Sequence, residues 1–498
     1  MDPDRVSFED DLGTIRYIGT LPEWGPNVKV LGIEWDRPER GKNNGDINGV
    51  TYFQPIICNS GSFIKSSNKK IGPRNDFISA VQDKYHSDTT FRKDLKFGTK
   101  TVESYGFSKL NEIQSNFRNL KSLSLQRTNI VSINRNDDTK NIMESLENVE
   151  HLDLSFNLFN NFQQVGEIIG YLPNLKSLVL NGNRFFGGFT ISQHNLKILK
   201  LSATNIEPEN LQQILNDFPN LDELYLAGNN YNNLEINSNL LKLLDLSFNN
   251  FLHIPPWLLR SQTLNVNLSD NHISTIPHIV SNISILDLRR NQIKSWDTID
   301  QIYLSFPHLA ELRINDNPLF DSLSIEEMTI NLIARLKCQG SKEKPLPNTL
   351  KKLNGSLLKT DEIINAELYF ISKVKQNVYY IERDGRRWRE LLEKFNMDPA
   401  LAVVQANVNK KLNLILHHNV KKPRVFLKDN SILRLKGIVS KTMLNNASIL
   451  HFKLYYYVNE FEPDTTIKIK QFLDDDLSKL GNYGFLDNQT IFVEMGQQ

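Results

Sequence analysis

The sequence predicts a multidomain protein, in which a small all-β domain is followed by an α/β solenoid of short repeats with a helical cap, and then by a small α+β domain. Three observations support this. The chain has 498 residues, too many for one ordinary hydrophobic core, so about three domains are expected. One apolar pattern recurs nine times in the middle of the chain. The segments on either side of it show the short alternation typical of strands.

The first domain is predicted over residues 1–78, where glycines alternate with β-branched and aromatic residues. This composition indicates a small, strongly bent antiparallel sheet. Its sharpest turn signal is Gly41–Gly45, where two glycines bracket three polar residues. One interpretation is peptide capture, with Lys42 pairing with a carboxylate and Asn43 binding a peptide backbone beside Phe53. The alternative is an ordinary hairpin turn with a solvated lysine.

A linker with an N-terminal cap is predicted over 79–118, and a repeat solenoid over 119–330. The repeat reads Leu-x-x-Leu-x-Leu-x-x-Asn-x-Leu with a period of 20 to 29 residues, the leucine-rich-repeat signature. The leucines should face inward, and the asparagine should satisfy backbone groups at the turn. The nine residues at the asparagine position are Thr128, Asn157, Asn183, Thr204, Asn229, Asn249, Asn271, Asn291 and Asn317.

Residues between the leucines should point outward and form the concave surface of the solenoid. They include five acids (Asp153, Glu223, Asp245, Asp287 and Glu311) and three bases (Lys200, Arg289 and Arg313). A mildly acidic face argues against nucleic acid and for a protein partner. Tyr225, Arg289 and Arg313 are the predicted anchors, because tyrosine and arginine dominate interface energetics. The alternative at most of these positions is a merely solvated face.

A helical cap and spacer is predicted over 331–408, interrupted by Pro345 and Pro347, and a small α+β domain over 409–498 with a helix from Ser431 to Met443. The sequence contains no phosphate-binding loop, nucleophile elbow or paired-histidine zinc helix, so neither an enzyme nor a cofactor is expected. Phe186–Phe189 is interpreted as a turn.

A net charge of +1 gives no overall attraction to nucleic acid or to a membrane surface. No apolar run is long enough to span a bilayer, and the start lacks a signal-peptide pattern, so neither export nor a membrane anchor is expected. Only two cysteines occur, Cys58 and Cys338, and they lie far apart. This predicts a reducing compartment and no disulfide framework.

The first domain resembles the CAP-Gly family in Gly13–Gly19, Gly32–Asp36, Gly41–Gly45, Tyr52–Phe53 and Gly61–Ile64. The resemblance implies binding of acidic C-terminal tails that end in an aromatic residue. Its tail-binding residues would be Lys42, Asn43, Phe53 and Lys65, with Gly41 and Gly45 shaping the loop. Three positions depart from the family. Asn44 replaces an aspartate, Val30 replaces a tryptophan, and Lys65 replaces an arginine. Trp24, just upstream of Val30, is the candidate to take the place of the missing tryptophan. Weaker tail binding is therefore expected.

The last domain resembles the ubiquitin-like fold in Leu477, Leu480, Tyr483–Phe485 and Ile491–Val493, without a terminal glycine pair, which favours docking over conjugation. The domain order is similar to the tubulin-folding cofactor E family. That implies a monomeric, cytoplasmic, cytoskeleton-associated chaperone of α-tubulin that assembles the αβ heterodimer. With cofactor B and other tubulin cofactors, the chaperone would also dissociate the αβ heterodimer. A microtubule-end linker is the alternative, although no sustained coiled-coil heptads occur. A repeat-based phosphatase regulator would leave the first domain unexplained.

Overall fold

The computed structural model describes two compact units, Met1–Ser372 with Ile381–Leu391 and Lys373–Tyr380 with Leu392–Gln498. The residues described are 4–85, 96–97, 100–101, 116–134, 137–186, 195–237, 241–339, 349–397, 411–462, 465–483, 485–486 and 488–495. The predicted turn at Phe186–Phe189 lies outside them except for Phe186, and so do Pro345 and Pro347. No helix in these ranges is both long and apolar enough to cross a bilayer.

The first domain is a bent antiparallel sheet, as the glycine-rich alternation predicts. Its strands, in the order β1-β2-β3-β6, are β1 Arg5–Phe8, β2 Asp11–Thr20, β3 Lys29–Trp35 and β6 Gly61–Lys65, with a side hairpin of β4 Asp46–Ile47 and β5 Val50–Thr51. The register between β2 and β3 shifts between Ile15 and Tyr17, which is the irregularity that bends a small sheet. Phe8, Ile33 and Trp35 form its core with Val6 and Leu31.

A helix joins this domain to the solenoid. After β7 Asn75–Asp76, helix α1 Phe77–Tyr85 buries Phe77 and Val81 in the same apolar core as the repeats. Strand β7 also pairs in parallel with β11 Ile130–Ser132 of the first repeat. In the sequence between α1 and the first repeat, β8 Lys96–Phe97 and β9 Lys100–Thr101 form a short antiparallel pair.

The nine repeats predicted from the sequence form one parallel sheet, which confirms the leucine-rich-repeat solenoid. Its strands are β10 Ser122–Ser124, β12 His151–Asp153, β13 Ser177–Val179, β14 Ile198–Lys200, β15 Glu223–Tyr225, β16 Leu243–Asp245, β17 Asn265–Asn267, β18 Ile285–Asp287 and β19 Glu311–Arg313. The middle residue of each strand is a buried leucine or valine, in register with its neighbours. Several return segments are helical: α2 Asp137–Ser145, α3 Phe162–Ile169, α4 Pro208–Asp217, α5 Pro256–Arg260 and α6 Trp296–Ser305.

Buried asparagines satisfy backbone groups at the turns that leave the strands, as predicted, and they also bond to the preceding repeat. The Asn249 amide donates to the carbonyls of Leu226 and Leu246 at 3.1 and 3.0 Å, and its Oδ1 accepts from the Tyr231 N–H at 3.0 Å. Thr204 replaces asparagine in the fourth repeat, and its hydroxyl donates to the Leu201 carbonyl at 2.9 Å. These side chains satisfy backbone groups that burial would otherwise leave unpaired.

The far end of the solenoid is closed by β20 Lys352–Leu353, β21 Ser356–Leu357 and three helices, α7 Ile325–Arg335, α8 Thr360–Lys375 and α9 Arg386–Lys394. Helix α7 begins with a capping box between Ser324 and Glu327. Two arginines anchor the helices: Arg335 contacts Asp300 and Arg387 contacts Glu367, at 2.7 and 2.8 Å.

The second unit has the strand order of a ubiquitin-like fold, β23-β22-β26-β24-β25, with the last strand parallel to the first. Its elements are β22 Lys411–His417, β23 Lys421–Leu427, α10 Ile432–Met443, β24 Phe452–Glu462, β25 Thr465–Phe472 and β26 Gln489–Met495. The helix begins where the sequence predicts, because the Ser431 side chain accepts from the Arg434 N–H. Ile432, Leu435 and Ile491 are buried in its core.

Candidate functional site: a peptide groove beside the solenoid edge

The Gly41–Gly45 loop requires both of its glycines. A Cβ on Gly41 would lie 1.8 Å from the Asn59 carbonyl oxygen, and one on Gly45 would lie 2.1 Å from that of Phe53. Gly45 also has a φ of +79°, which other residues rarely adopt. The loop is fixed to the start of β6, because the Lys42 and Asn43 N–H groups both donate to the Gly61 carbonyl.

Within this loop the polar side chains have different tasks. Oδ1 of Asn43 accepts from the Gly45 N–H at 3.1 Å, so one lone pair of this oxygen is used within the loop, and the NH₂ group supplies the donors for a peptide. Oδ1 of Asn44 accepts from the Asn59 N–H at 2.5 Å, so asparagine keeps the acceptor that the family's aspartate would supply. Lys42 is exposed, and its ammonium group is the charged group that the loop presents.

An aromatic cluster of Tyr17, Tyr52, Phe53 and Phe63 lies next to the loop. The rings of Phe53 and Phe63 are 5.4 Å apart, and those of Tyr17 and Tyr52 are 5.2 Å apart, all edge to face. Phe53 is only 7% exposed, whereas the other three rings are half-buried. Phe53 therefore supports the cluster from beneath, and the half-buried rings form the surface that a ligand would contact.

The position of Gly32 explains how this surface forms. In the strand register Gly32 faces Tyr17 on one side and Phe63 on the other. A Cβ there would lie 2.6 Å from the Phe53 ring, so only glycine leaves room for Phe53 beneath the two flanking rings. A glycine between two aromatic residues on neighbouring strands is the signal that could have added Tyr17 and Phe63 to the predicted site.

Lys65 lies at the other end of β6, four residues from Gly61 or about 13 Å at the rise of a strand. It is exposed and pairs in register with Val30, which is fully buried and has no surface to offer a ligand. Trp24 is partly buried in a short 3₁₀ helix, Pro22–Trp24. Burial, helped by the nearby Glu23 carboxylate, raises the pKa of Tyr52. The aromatic surface formed by Tyr17, Tyr52 and Phe63 thus has a lysine at each end, Lys42 and Lys65, and we call this surface the groove.

The predicted anchors on the solenoid lie on its strands but are already paired. The Tyr225 hydroxyl donates to Glu223 at 2.9 Å, and burial followed by this bond raises the pKa of Tyr225 to about 12. Arg289 contacts Asp287 at 2.7 Å and Arg313 contacts Glu311 at 3.0 Å. A partner would have to compete for these side chains.

Several acids of the predicted concave face have a structural task as well. Oδ1 of Asp153, Asp245 and Asp287 accepts from the backbone N–H two residues later, at 2.9, 2.9 and 3.1 Å. Such bonds shape the turn that leaves each strand. The acidity of this face therefore follows in part from the needs of the repeat.

A buried ionic cluster fastens the first domain to the solenoid. Both terminal nitrogens of Arg5 donate to Asp36, each at 2.6 Å, and the Arg5 side chain has no solvent exposure. Arg184 of the third repeat lies 3.6 Å from the same carboxylate, and Arg5 also donates to the Gly182 carbonyl at 3.4 Å. Burial disfavours the charged form of Asp36, but the charge and hydrogen bonds of Arg5 outweigh it and lower the pKa of this carboxyl.

Contacts around this cluster extend the interface along one edge of the solenoid. The Arg127 guanidinium donates to the Asp10 carbonyl at 3.1 Å and lies 4.7 Å from the Phe156 ring centre. Arg16 lies 5.2 Å from the centre of the Phe186 ring. Sequence reasoning missed this interface, because no local pattern links residues so far apart.

The interface and the groove lie on the same face of the sheet. Thr14 pairs with Glu34 beside the solenoid, and Tyr17 pairs with Gly32 in the groove. Glu34 and Gly32 are two residues apart on β3 and so point the same way, about 7 Å from each other. The groove therefore opens next to the solenoid edge. Among the residues described, no group of His, Cys, Asp and Glu is arranged to hold a metal ion.

Comparison with known proteins agrees with this architecture. The family model of the CAP-Gly domain matches residues 3–69. Protein PAC2 of Saccharomyces cerevisiae is 29% identical over 92% of this chain and 91% of its own. Tubulin-specific chaperone E of Xenopus laevis is 32% identical over 64% and 63%. Tubulin-folding cofactor E of Arabidopsis thaliana is 25% identical over 97% and 95%.

The loop, the aromatic cluster and the domain match define a CAP-Gly protein that also carries a leucine-rich-repeat solenoid and a ubiquitin-like domain. Within that class, the chain is similar to the tubulin-specific chaperone E and tubulin-folding cofactor E proteins. The match to the Xenopus relative spans less than two thirds of that protein's length.

Proposed function

We propose that this protein is a non-enzymatic tubulin-folding chaperone that binds α-tubulin and promotes assembly of the αβ heterodimer. With partner cofactors, cofactor B among them, it also promotes dissociation. The observation that carries the proposal is the groove with Lys42 and Lys65 at its ends, on a domain that contacts the solenoid through Asp36 with Arg184 and through Arg5 with the Gly182 carbonyl. The similarity to the tubulin-specific chaperone E and tubulin-folding cofactor E proteins supports the same function.

The chemistry of the groove suits an acidic tail with an aromatic end. Lys42 pairs with the terminal carboxylate, and the half-buried rings of Tyr17, Tyr52 and Phe63 receive the aromatic side chain. Lys65 attracts acidic residues further along the tail. A lysine provides one point charge instead of the two-pronged guanidinium of arginine, so the grip on the tail is weaker than in a typical CAP-Gly domain.

The fastened groove makes weak tail binding useful. A tail held in the groove, on a domain that contacts the solenoid, keeps the folded body of its protein close to the solenoid, so the second contact forms at a high effective concentration. The ubiquitin-like domain recruits a partner cofactor in this scheme. Two modest contacts then give one firm grip on α-tubulin.

The test is binding of an α-tubulin tail peptide to the full-length chain, measured by fluorescence anisotropy. Lys42→Ala removes the proposed carboxylate partner and should weaken binding about tenfold or more, the loss of one charge-assisted contact. Lys70→Ala is the matched control, because Lys70 is another exposed lysine of this domain but pairs with Glu9 at 2.8 Å. Equal affinity of the wild type and Lys42→Ala would show that the loop is an ordinary turn.

A further inference from the structure

The edge of the solenoid that holds the first domain has a repeated backbone feature. In all nine repeats the residue just before the asparagine position has a positive φ, between 50° and 70°. We call these residues the left-handed column: Arg127, Phe156, Gly182, Ala203, Gly228, Phe248, Asp270, Arg290 and Asp316. The first domain contacts the column near its start, through Arg127 and Gly182.

Beyond the first domain, the same edge carries two exposed apolar side chains in the sixth repeat. Phe248 lies in the left-handed column and is 60% exposed, and Leu252 is 59% exposed. Leu252 occupies the repeat position that Phe186 holds in the third repeat, three residues after the asparagine. Phe186 contacts Arg16 of the first domain, so the sixth repeat presents apolar groups at both positions used by the third.

Phe248 is costly to keep at this position. A positive φ is unfavourable for a bulky residue, and glycine occupies the column at Gly182 and Gly228. Phe156, the other phenylalanine of the column, is covered by Arg127 and lies against Gly182. Phe248 remains largely in water. An exposed aromatic side chain on a strained backbone is a feature of binding surfaces.

We propose that Phe248 and Leu252 bind the folded body of the tubulin whose tail occupies the groove. This inference rests on the proposed function and adds the second contact surface to it. The surface continues the edge to which the first domain is docked, three strands beyond Gly182, or about 14 Å at the spacing of neighbouring strands. The groove opens onto the same edge, so one partner reaches both sites.

The test compares full-length variants in binding to tubulin dimer whose C-terminal tails have been removed by proteolysis. Phe248→Gly with Leu252→Asn introduces residues that other repeats carry at these positions, such as Gly228 and Asn232, so folding is preserved. Loss of the two apolar contacts should weaken binding about 10- to 100-fold. The matched control, Val280→Ser with Leu304→Ala, removes two apolar groups that are 71% and 49% exposed elsewhere on the solenoid and should leave affinity unchanged.

Two further readouts, tail-peptide binding and sedimentation, separate the outcomes. Binding of the tail peptide should be the same in the double variant and in the wild type, because the groove is untouched. If the double variant binds tail-less dimer as tightly as the wild type, the inference is wrong, whatever the groove does. A wild type that binds no tail peptide refutes the tail function instead. A wild type that is dimeric in sedimentation, with a monomeric double variant, would show that a second copy of this chain covers Phe248 and overturn the inference.

Discussion

Asp36→Ala removes the carboxylate that fastens the first domain to the solenoid. The substitution leaves Arg5 with no solvent exposure and no counter-ion, and Arg184, whose side chain is 13% exposed, loses its partner as well. Breaking a buried ion pair by removing one partner typically costs about 3–5 kcal/mol, because the remaining charge stays buried. Arg5 and Asp36 both belong to the first domain, so most of this cost falls on the stability of that domain. Docking loses the contact between Asp36 and Arg184 as well, so the interface with the solenoid should loosen.

The assay is hydrogen exchange of the full-length protein, read at the amides of β1 and of Gly182, together with a thermal melt. Docked wild type should protect these amides, and Asp36→Ala should expose them and lower the melting temperature. Asp10→Ala is the control, because only the backbone carbonyl of this exposed residue takes part in the interface. Unchanged exchange in Asp36→Ala would refute the view that the ionic cluster holds the two parts together.

The same cluster sets a pH dependence. The pKa of Asp36 is lower in the folded protein than in the unfolded chain, so the ionised carboxylate stabilises the folded state. That stabilisation is fully present above the unfolded value of about 4 and is lost as the pH falls through the lower folded value. The folded state should therefore keep this stabilisation from neutral pH to about pH 4 and lose it progressively below that pH. A loss of protection at pH 6 would contradict this assignment.

Two other substitutions test the repeat and the loop. Asn249→Ala leaves buried carbonyl and N–H groups unpaired, so it should lower the free energy of unfolding by about 2–4 kcal/mol, measured by urea denaturation. Asn250→Ala is the control, because Asn250 is exposed, and it should change the free energy of unfolding little. Gly45→Ala brings a Cβ against the Phe53 carbonyl and should abolish tail-peptide binding. Gly49→Ala is the control, because Gly49 has a φ of +82° but open space around it. This variant should cost about 1 kcal/mol of stability and leave tail-peptide binding intact.

The parts of the fold that sequence could predict are those set by local spacing. Each leucine-rich strand carries its own inward leucines and its own asparagine, so positions such as Leu244 and Asn249 are defined within one repeat. The helix of the last domain could also be predicted from the sequence, because the N-cap residue Ser431 lies directly before the apolar positions of the helix. These features depend on neighbours a few residues away.

The parts that sequence could not predict depend on residues brought together by the fold. Asp36 and Arg184 are neighbours only because the first domain docks on the third repeat. Phe53 was predicted to line the groove, and the structure places it beneath Phe63, where strand register decides which ring faces outward. The sequence pattern can predict which residues belong to such a site, but it cannot predict which of them are buried and which face the ligand.

The most direct test of the central claim is to mix the purified protein with tubulin dimer and size the products. A chaperone that grips α-tubulin through both the groove and the solenoid should yield a stable complex with α-tubulin alone, and Lys42→Ala should reduce its yield. Pelleting of the protein with intact microtubules, without any complex of α-tubulin alone, would contradict the account and support a microtubule-end linker.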